Sequence, residues 1–229
     1  MSIEPKIACD PLEARLAALH QASLELVQDI SIDTLLPRIA HIAKEQVCAS
    51  YAAVSMRGED GEIDRFISLG MEEDLIDDLP HKPLGLGLLG VIADAEGPIR
   101  VDYIQKDPRR AGFPEGHPRM TSLLGVPIQL GGRHSGQIYL ADKLDESPFT
   151  EDDERVIETL ADYAAVAISN ARSYNELRQR DRTLTRRNQD LALLNNLASA
   201  LASITELEEL LQTALTRLIN YFNIDLGEI

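Results

Sequence analysis

Residues 113–143 read FPEGHPRMTSLLGVPIQLGGRHSGQIYLADK, and the architecture follows from this stretch. It opens with a loop rich in Pro and Gly that carries one histidine, His117. Two β-patterned runs follow, 122–130 and 137–141, joined by a turn around Gly131-Gly132. A hairpin fed by such a loop is a common way to build one wall of a small-molecule pocket.

Working upstream, 99–101 reads as a short strand, followed by a polar loop over 102–112 that carries Asp107-Pro108. The glycine-rich run 83–90 leads into a helix ending near residue 95, and 72–78 reads as an acidic helical piece. Two further strands, 50–56 and 63–68, are separated by the turn chemistry of Arg57-Gly58-Glu59-Asp60-Gly61-Glu62. Two helices come before them. The first covers 11–30, with Asp10 as N-cap, Pro11 in the first helical position and an apolar stripe of Leu12, Leu16, Leu19, Ala22, Leu26 and Ile30. The second covers 33–48 and places Pro37 in its first turn, where a missing N–H is tolerated.

Downstream, Thr150 and Asp153 form a capping box at the start of a long helix. Val156, Ile157, Leu160, Tyr163, Ala164, Ala167, Ile168 and Ala171 give that helix a wide apolar stripe. Past Ala171, leucines recur every seven residues at Leu177, Leu184 and Leu191, with Leu194 and Leu201 forming a second row. This heptad predicts a parallel helical dimer, although Arg180 and Arg187 interrupt it; the alternative is a solvated helix lying on the domain. An internal echo also appears. Residues 194–229 repeat the pattern of 19–54 at a constant offset of 175: Leu19 with Leu194, Leu26 with Leu201, Ile32 with Leu207, Leu35-Leu36 with Leu210-Leu211, and Val54 with Ile229. Coincidence among amphipathic helices is the competing explanation. The predicted organisation is a lead-in helix over 1–32, a folded domain over 33–174, a coiled-coil helix over 175–203 and the start of a second domain over 204–229.

A net charge of −16 argues against a nucleic-acid partner, because an acidic field repels phosphates, and it suits a cytoplasmic protein. No apolar run approaches the roughly 20 residues that span a bilayer. Cys9 and Cys48 form no disulfide framework and no metal-ligand spacing; Cys48 reads as a core thiol. His20, His41, His81 and His134 lie in polar segments and read as solvent-facing. The acids of 151–154 suit a helix N-terminus rather than an acid–base pair. No nucleophile constellation stands out, so no catalysis is expected of this chain.

The element order, together with Leu124-Gly125-Val126-Pro127-Ile128, 136–143 (GQIYLADK), 148–154 (PFTEDDE) and 167–174 (AISNARSY), resembles the GAF domain family over about 35–174. The resemblance implies an α+β fold with an antiparallel sheet of five or six strands, helices on one face and a ligand pocket on the other. It also implies a long C-terminal signalling helix and terminal helices that dimerise. Within the family, Gly112-Phe113-Pro114, His117-Pro118, Met120 and Leu123-Leu124-Gly125-Val126-Pro127 are similar to the first GAF domain of the mycobacterial dormancy sensor kinases of the DosS/DosT type. That similarity implies haem held by His117, with Tyr139 on the distal side and Phe113, Met120, Leu123 and Leu124 around it. The distal strand residues of those relatives fall near Ser55 and Arg57, where their pattern is not matched. A histidine on a Pro/Gly loop beside apolar side chains suits a flat apolar cofactor, and equally a loop histidine capping a backbone group. The expectation is the sensory N-terminal part of a multidomain signalling protein, a histidine kinase, working as a homodimer with a second GAF domain and an output domain downstream. The alternatives are a GAF module for a cyclic nucleotide or other small ligand, and a ligand-free dimerisation module.

Overall fold

The computed structural model describes residues 10–58, 63–71, 87–113, 116–202 and 207–222. They divide into two compact units, 1–174 and 175–229. The expected acidic helix at 72–78, the match of Val54 to Ile229, and His81 lie outside the described residues.

The first unit is built on a five-stranded antiparallel sheet. Its strands are β1 (Ala49–Arg57), β2 (Ile63–Leu69), β3 (Ile99–Val101), β4 (Leu123–Leu130) and β5 (Arg133–Lys143), in the spatial order β2-β1-β5-β4-β3. The β4–β5 hairpin forms where the sequence puts it. Gly131 and Gly132 both take positive φ, 58° and 78°, as a two-residue turn matched to strand twist requires. That turn brings the polar residues Arg133 and His134 into the ladder, with Ser135 at a bulge before Gly136, so β5 starts four residues before its apolar run does. β3 pairs only as far as Ile99 with Gly125, which leaves Pro127 on an uncovered edge where a missing N–H is tolerated.

Side chains alternate across the sheet. On one face Ile67, Val54, Ile138 and Val126 form a cross-strand row, with Leu140 and Leu124 beside it. This face receives α1 (Leu12–Gln28), α2 (Ile32–Gln46) and the first part of α4 (Glu151–Ala202). Leu19, Leu26, Leu35, Leu36, Ile39, Ile157 and Leu160 are fully buried there, each worth about 1.5–3 kcal/mol of burial. On the other face lies α3 (Leu88–Ala93), shorter than the helix expected up to residue 95, with Leu88 and Ile92 packed over Val101, Leu123 and Tyr139.

The capping box forms as expected. Thr150 N–H donates to Asp153 Oδ2 at 2.8 Å, and Asp153 N–H donates to Thr150 Oγ1 at 3.2 Å. Asp153 also holds two cations, Arg15 Nη2 of α1 at 2.8 Å and Lys143 Nζ at the end of β5 at 3.0 Å. All three side chains are nearly inaccessible to water. This buried triad ties the first helix, the last strand and the long helix together at one carboxylate. Cys48 departs from the core-thiol expectation: it is half-buried, sits at φ 51° between α2 and β1, and is disulfide-bonded. In the second unit, 175–202 continues α4, and α5 (Leu207–Phe222) returns alongside it. Arg217 Nη1 donates to the Asn196 carbonyl, and Tyr221 to the Asp190 carboxylate.

Candidate functional site

The face of the sheet turned away from α2 and α4 carries the chemistry. Register places Phe66, Ser55, Gln137 and Pro127 in one row across four strands, and Ser68, Ala53, Tyr139 and Gly125 in the next. Ser55, Gln137 and Tyr139 are 0%, 1% and 6% exposed, so three polar side chains are buried on an otherwise apolar surface. Ser55 Oγ donates to Gln137 Oε1 at 2.5 Å, and Tyr139 Oη donates to the same oxygen at 3.1 Å. Burial pushes the Tyr139 hydroxyl above its ordinary pKa of 10.0, against the Ser55 hydrogen bond and the nearby Arg57 charge. Leu88, Leu89, Ile92, Ile99, Leu123 and Met120 pack around this group.

The expected site residues fall into three places. Tyr139, Leu123 and Met120 come together on this face. His117 and Phe113 form a separate stacked pair on the loop, with ring centroids 4.9 Å apart and planes inclined by 14°. Leu124 does not belong to the site. It is fully buried in the main core, because alternation along β4 sends it to the opposite face from Leu123. His20 and His41 are exposed, as expected, whereas His134 is half-buried in β5.

The loop holding His117 is anchored at both ends. Asp107 accepts from Arg109 through Nε, Nη2 and the backbone N–H, and those bonds lower its pKa from 3.8 to about 2. On the return, Gln105 Nε2 donates to the Met120 carbonyl and Ile104 N–H to the Thr121 carbonyl, each at 2.7 Å. Asp142, at φ 50°, accepts from the N–H groups of Thr121 and Ser122 at 2.9 and 2.8 Å. His117 Nδ1 lies 2.8 Å from the Pro118 carbonyl. Donation there leaves Nε2 as the lone-pair nitrogen, the form that an axial haem ligand needs. His117 alone could offer that nitrogen to haem, while the Phe113–His117 pair and the cluster around Tyr139 are two groups rather than one.

Sequence reasoning singled out Ser55 and Arg57 only as departures from a pattern, and missed Gln137. The signal was a lone amide in the run Gln137-Ile138-Tyr139-Leu140-Ala141 of a central strand, where nothing exposed faces it. Arg15 was missed too, although a guanidinium on the apolar stripe of α1 asks for a buried partner. A depression of about 430 Å³ at the uncovered β4 edge is lined by Pro127, Gln129, Glu96, Arg155, Glu158 and Asp162, and its lining includes none of Ser55, Gln137, Tyr139 and His117. Among the described residues, no cluster of three or more His, Cys, Asp or Glu side chains could hold a metal ion, and no helix is long and apolar enough to cross a membrane.

The fold has solved counterparts of several kinds. The GAF domain of a phosphoenolpyruvate-protein phosphotransferase from Coxiella burnetii is 24% identical, with a TM-score of 0.62 over 73% of this chain and 99% of its own. A free methionine-R-sulfoxide reductase from Neisseria meningitidis, solved with its substrate, is 17% identical, with a TM-score of 0.59 over 76% and 99%. The GAF domain of a putative sensor histidine kinase from Pseudomonas syringae pv. tomato is 19% identical, with a TM-score of 0.52 over 73% and 94%. These neighbours are varied, one of them an enzyme, and they lend no support to a specific DosS/DosT likeness. The GAF domain sequence profile matches residues 29–169, more than half of the 229, and with the five-stranded sheet and its helices this makes the chain a member of the GAF domain family.

Proposed function

We propose that this chain is the sensory, small-molecule-binding part of a larger signal-transduction protein of the sensor histidine kinase kind. The observation that carries the reading is the buried polar cluster Ser55–Gln137–Tyr139 on the sheet face away from α2 and α4. Polar groups buried together on an apolar floor are how a site orients a ligand that is otherwise held by burial. β5 carries Gln137 and Tyr139 and ends at Lys143, which is ion-paired to Asp153 in the first turn of α4. A ligand that favours one arrangement of the floor thus biases the start of the long helix through one strand and one ion pair.

Haem on His117 Nε2 is the second reading, favoured by the Nδ1 contact with the Pro118 carbonyl. When bound, the iron would supply reversible binding of a diatomic gas or a change of redox state. Protein expressed with added haem should show a Soret band that His117→Ala removes. No band, or a band unchanged in His117→Ala, ends the haem reading and leaves the small-ligand reading in place. Tight binding of a cyclic nucleotide by calorimetry would redirect the ligand assignment. No thermal shift with any ligand would leave a dimerisation module.

The helices extend the reading to partners. Leu177, Leu184 and Leu191 are 68%, 59% and 62% exposed, and a second copy of the chain is what a heptad face of this kind pairs with. The α5 helix begins at Leu207, offset by 175 from the first residue of α2, Ile32. Leu194, Leu211 and Leu215 are exposed, whereas their counterparts Leu19, Leu36 and Ala40 are buried against the sheet of the first unit. Such a face is that of a second GAF domain whose own sheet would cover it. Sedimentation equilibrium should give a dimer for the wild type and a monomer for Leu184→Glu/Leu191→Glu. A wild-type monomer at tens of micromolar would overturn the paired helix.

A further inference from the structure

We propose that the Ser55–Gln137–Tyr139 face takes a small anionic ligand, whose carboxylate accepts hydrogen bonds from Gln137 Nε2 and Arg57 Nε. The proposal rests on the ligand-binding reading above and gives its ligand a chemistry. Gln137 Oε1 receives both neighbouring hydroxyls, and the N–H₂ end of the carboxamide is turned away from them. Gln137 is 1% exposed, yet Nε2 has no acceptor among the described residues. Arg57, two residues along β1 from Ser55 and on the same face, has its Nε equally buried and equally without an acceptor. Ser55 faces Gln137 and Met56 faces Gly136 across the β1–β5 ladder, so Arg57 is the next position on the Ser55 side of that pair.

A buried donor without an acceptor is strongly unfavourable, and native structures supply a partner. Here two donors are unmatched in one neighbourhood, and one belongs to a cation. A ligand carbonyl accepts from one of them. A carboxylate accepts from both and neutralises the guanidinium, giving the charge-assisted bonds that are the stronger kind. An ammonium group finds neither acceptor nor counter-ion at these atoms. Phe66, directly across from Ser55, together with Ala53 and Met120, offers apolar surface to the rest of such a ligand. The ligand class is therefore a carboxylate on a small aromatic or aliphatic body.

The probes are benzoate, benzamide and benzylamine, equal in body and different in charge. They are titrated into the full chain and followed by saturation-transfer NMR and thermal shift. Benzoate is expected to bind saturably and raise the Tm, benzamide to bind at least tenfold more weakly, and benzylamine not at all. Arg57→Gln and Gln137→Leu should each weaken benzoate at least tenfold. Equal binding of the three probes, or benzoate affinity unchanged in both variants, overturns the proposal. Should Gln137→Leu fail to fold, Arg57→Gln at its half-buried position decides alone. If none of the three binds while haem or a cyclic nucleotide does, this proposal falls and the ligand-binding reading stands. If no ligand of any class binds, both fall.

Discussion

Asp153→Ala is expected to lower the unfolding free energy by about 3–5 kcal/mol, because it removes the carboxylate that two buried cations share. The loss is large for a geometric reason. Arg15 and Lys143 remain, nearly inaccessible to water, and each has lost its counter-ion, while the Thr150 N–H loses its acceptor in the capping box. The comparison is the neighbouring pair Asp152–Arg155, whose side chains are 53% and 63% exposed. Asp152→Ala should cost about 0–1 kcal/mol, the usual value of a solvated ion pair. Urea denaturation of the two variants side by side tests the difference, and near-equal values would show that the triad is solvated in solution. The pH dependence has a definite sign. Burial works against ionisation of Asp153, but the Thr150 N–H, Lys143 and Arg15 outweigh it, so the carboxyl is held below its ordinary value of 3.8. A group whose native pKa is depressed contributes fully above its unfolded pKa and loses that contribution as pH falls through the native one. The stability gap between wild type and Asp153→Asn should therefore be widest near neutral pH and narrow below about pH 4.

Gly136→Ala is expected to cost about 3 kcal/mol or more, at the upper end of overpacking effects. A Cβ there would lie 2.1 Å from the Ser55 carbonyl oxygen and 3.2 Å from the Met56 Cα. Those atoms are backbone of β1, paired to β5 at this point, so neither strand can give way without opening the ladder that carries Ser55 and Gln137. Gly97→Ala is the control: a Cβ at Gly97 meets nothing within 4 Å, and the change should be nearly neutral. Thermal melts of the two variants suffice, and a Gly136→Ala protein that melts with the wild type would show that the β1–β5 pairing is looser than drawn.

Much of the site's framework was legible residue by residue. The hairpin was readable because Gly131-Gly132 sits between two β-patterned runs, and the start of α4 because Thr150 and Asp153 stand three apart before an apolar stripe. The chemistry was less legible. Ser55 and Gln137 are 82 positions apart, and Arg15 and Asp153 are 138 apart; no local pattern relates either pair. Leu123 and Leu124 look equivalent in sequence, and the pleat sends one to the Tyr139 cluster and the other to the main core.

The sequence by itself determined the strands and main helices of the described residues, their order and the family, since turns, caps and apolar periods depend on neighbours a few residues apart. Tertiary structure alone decided which polar side chains meet in the interior and on which face, since strand register across the sheet sets those meetings and a shift of one residue would reverse every one of them.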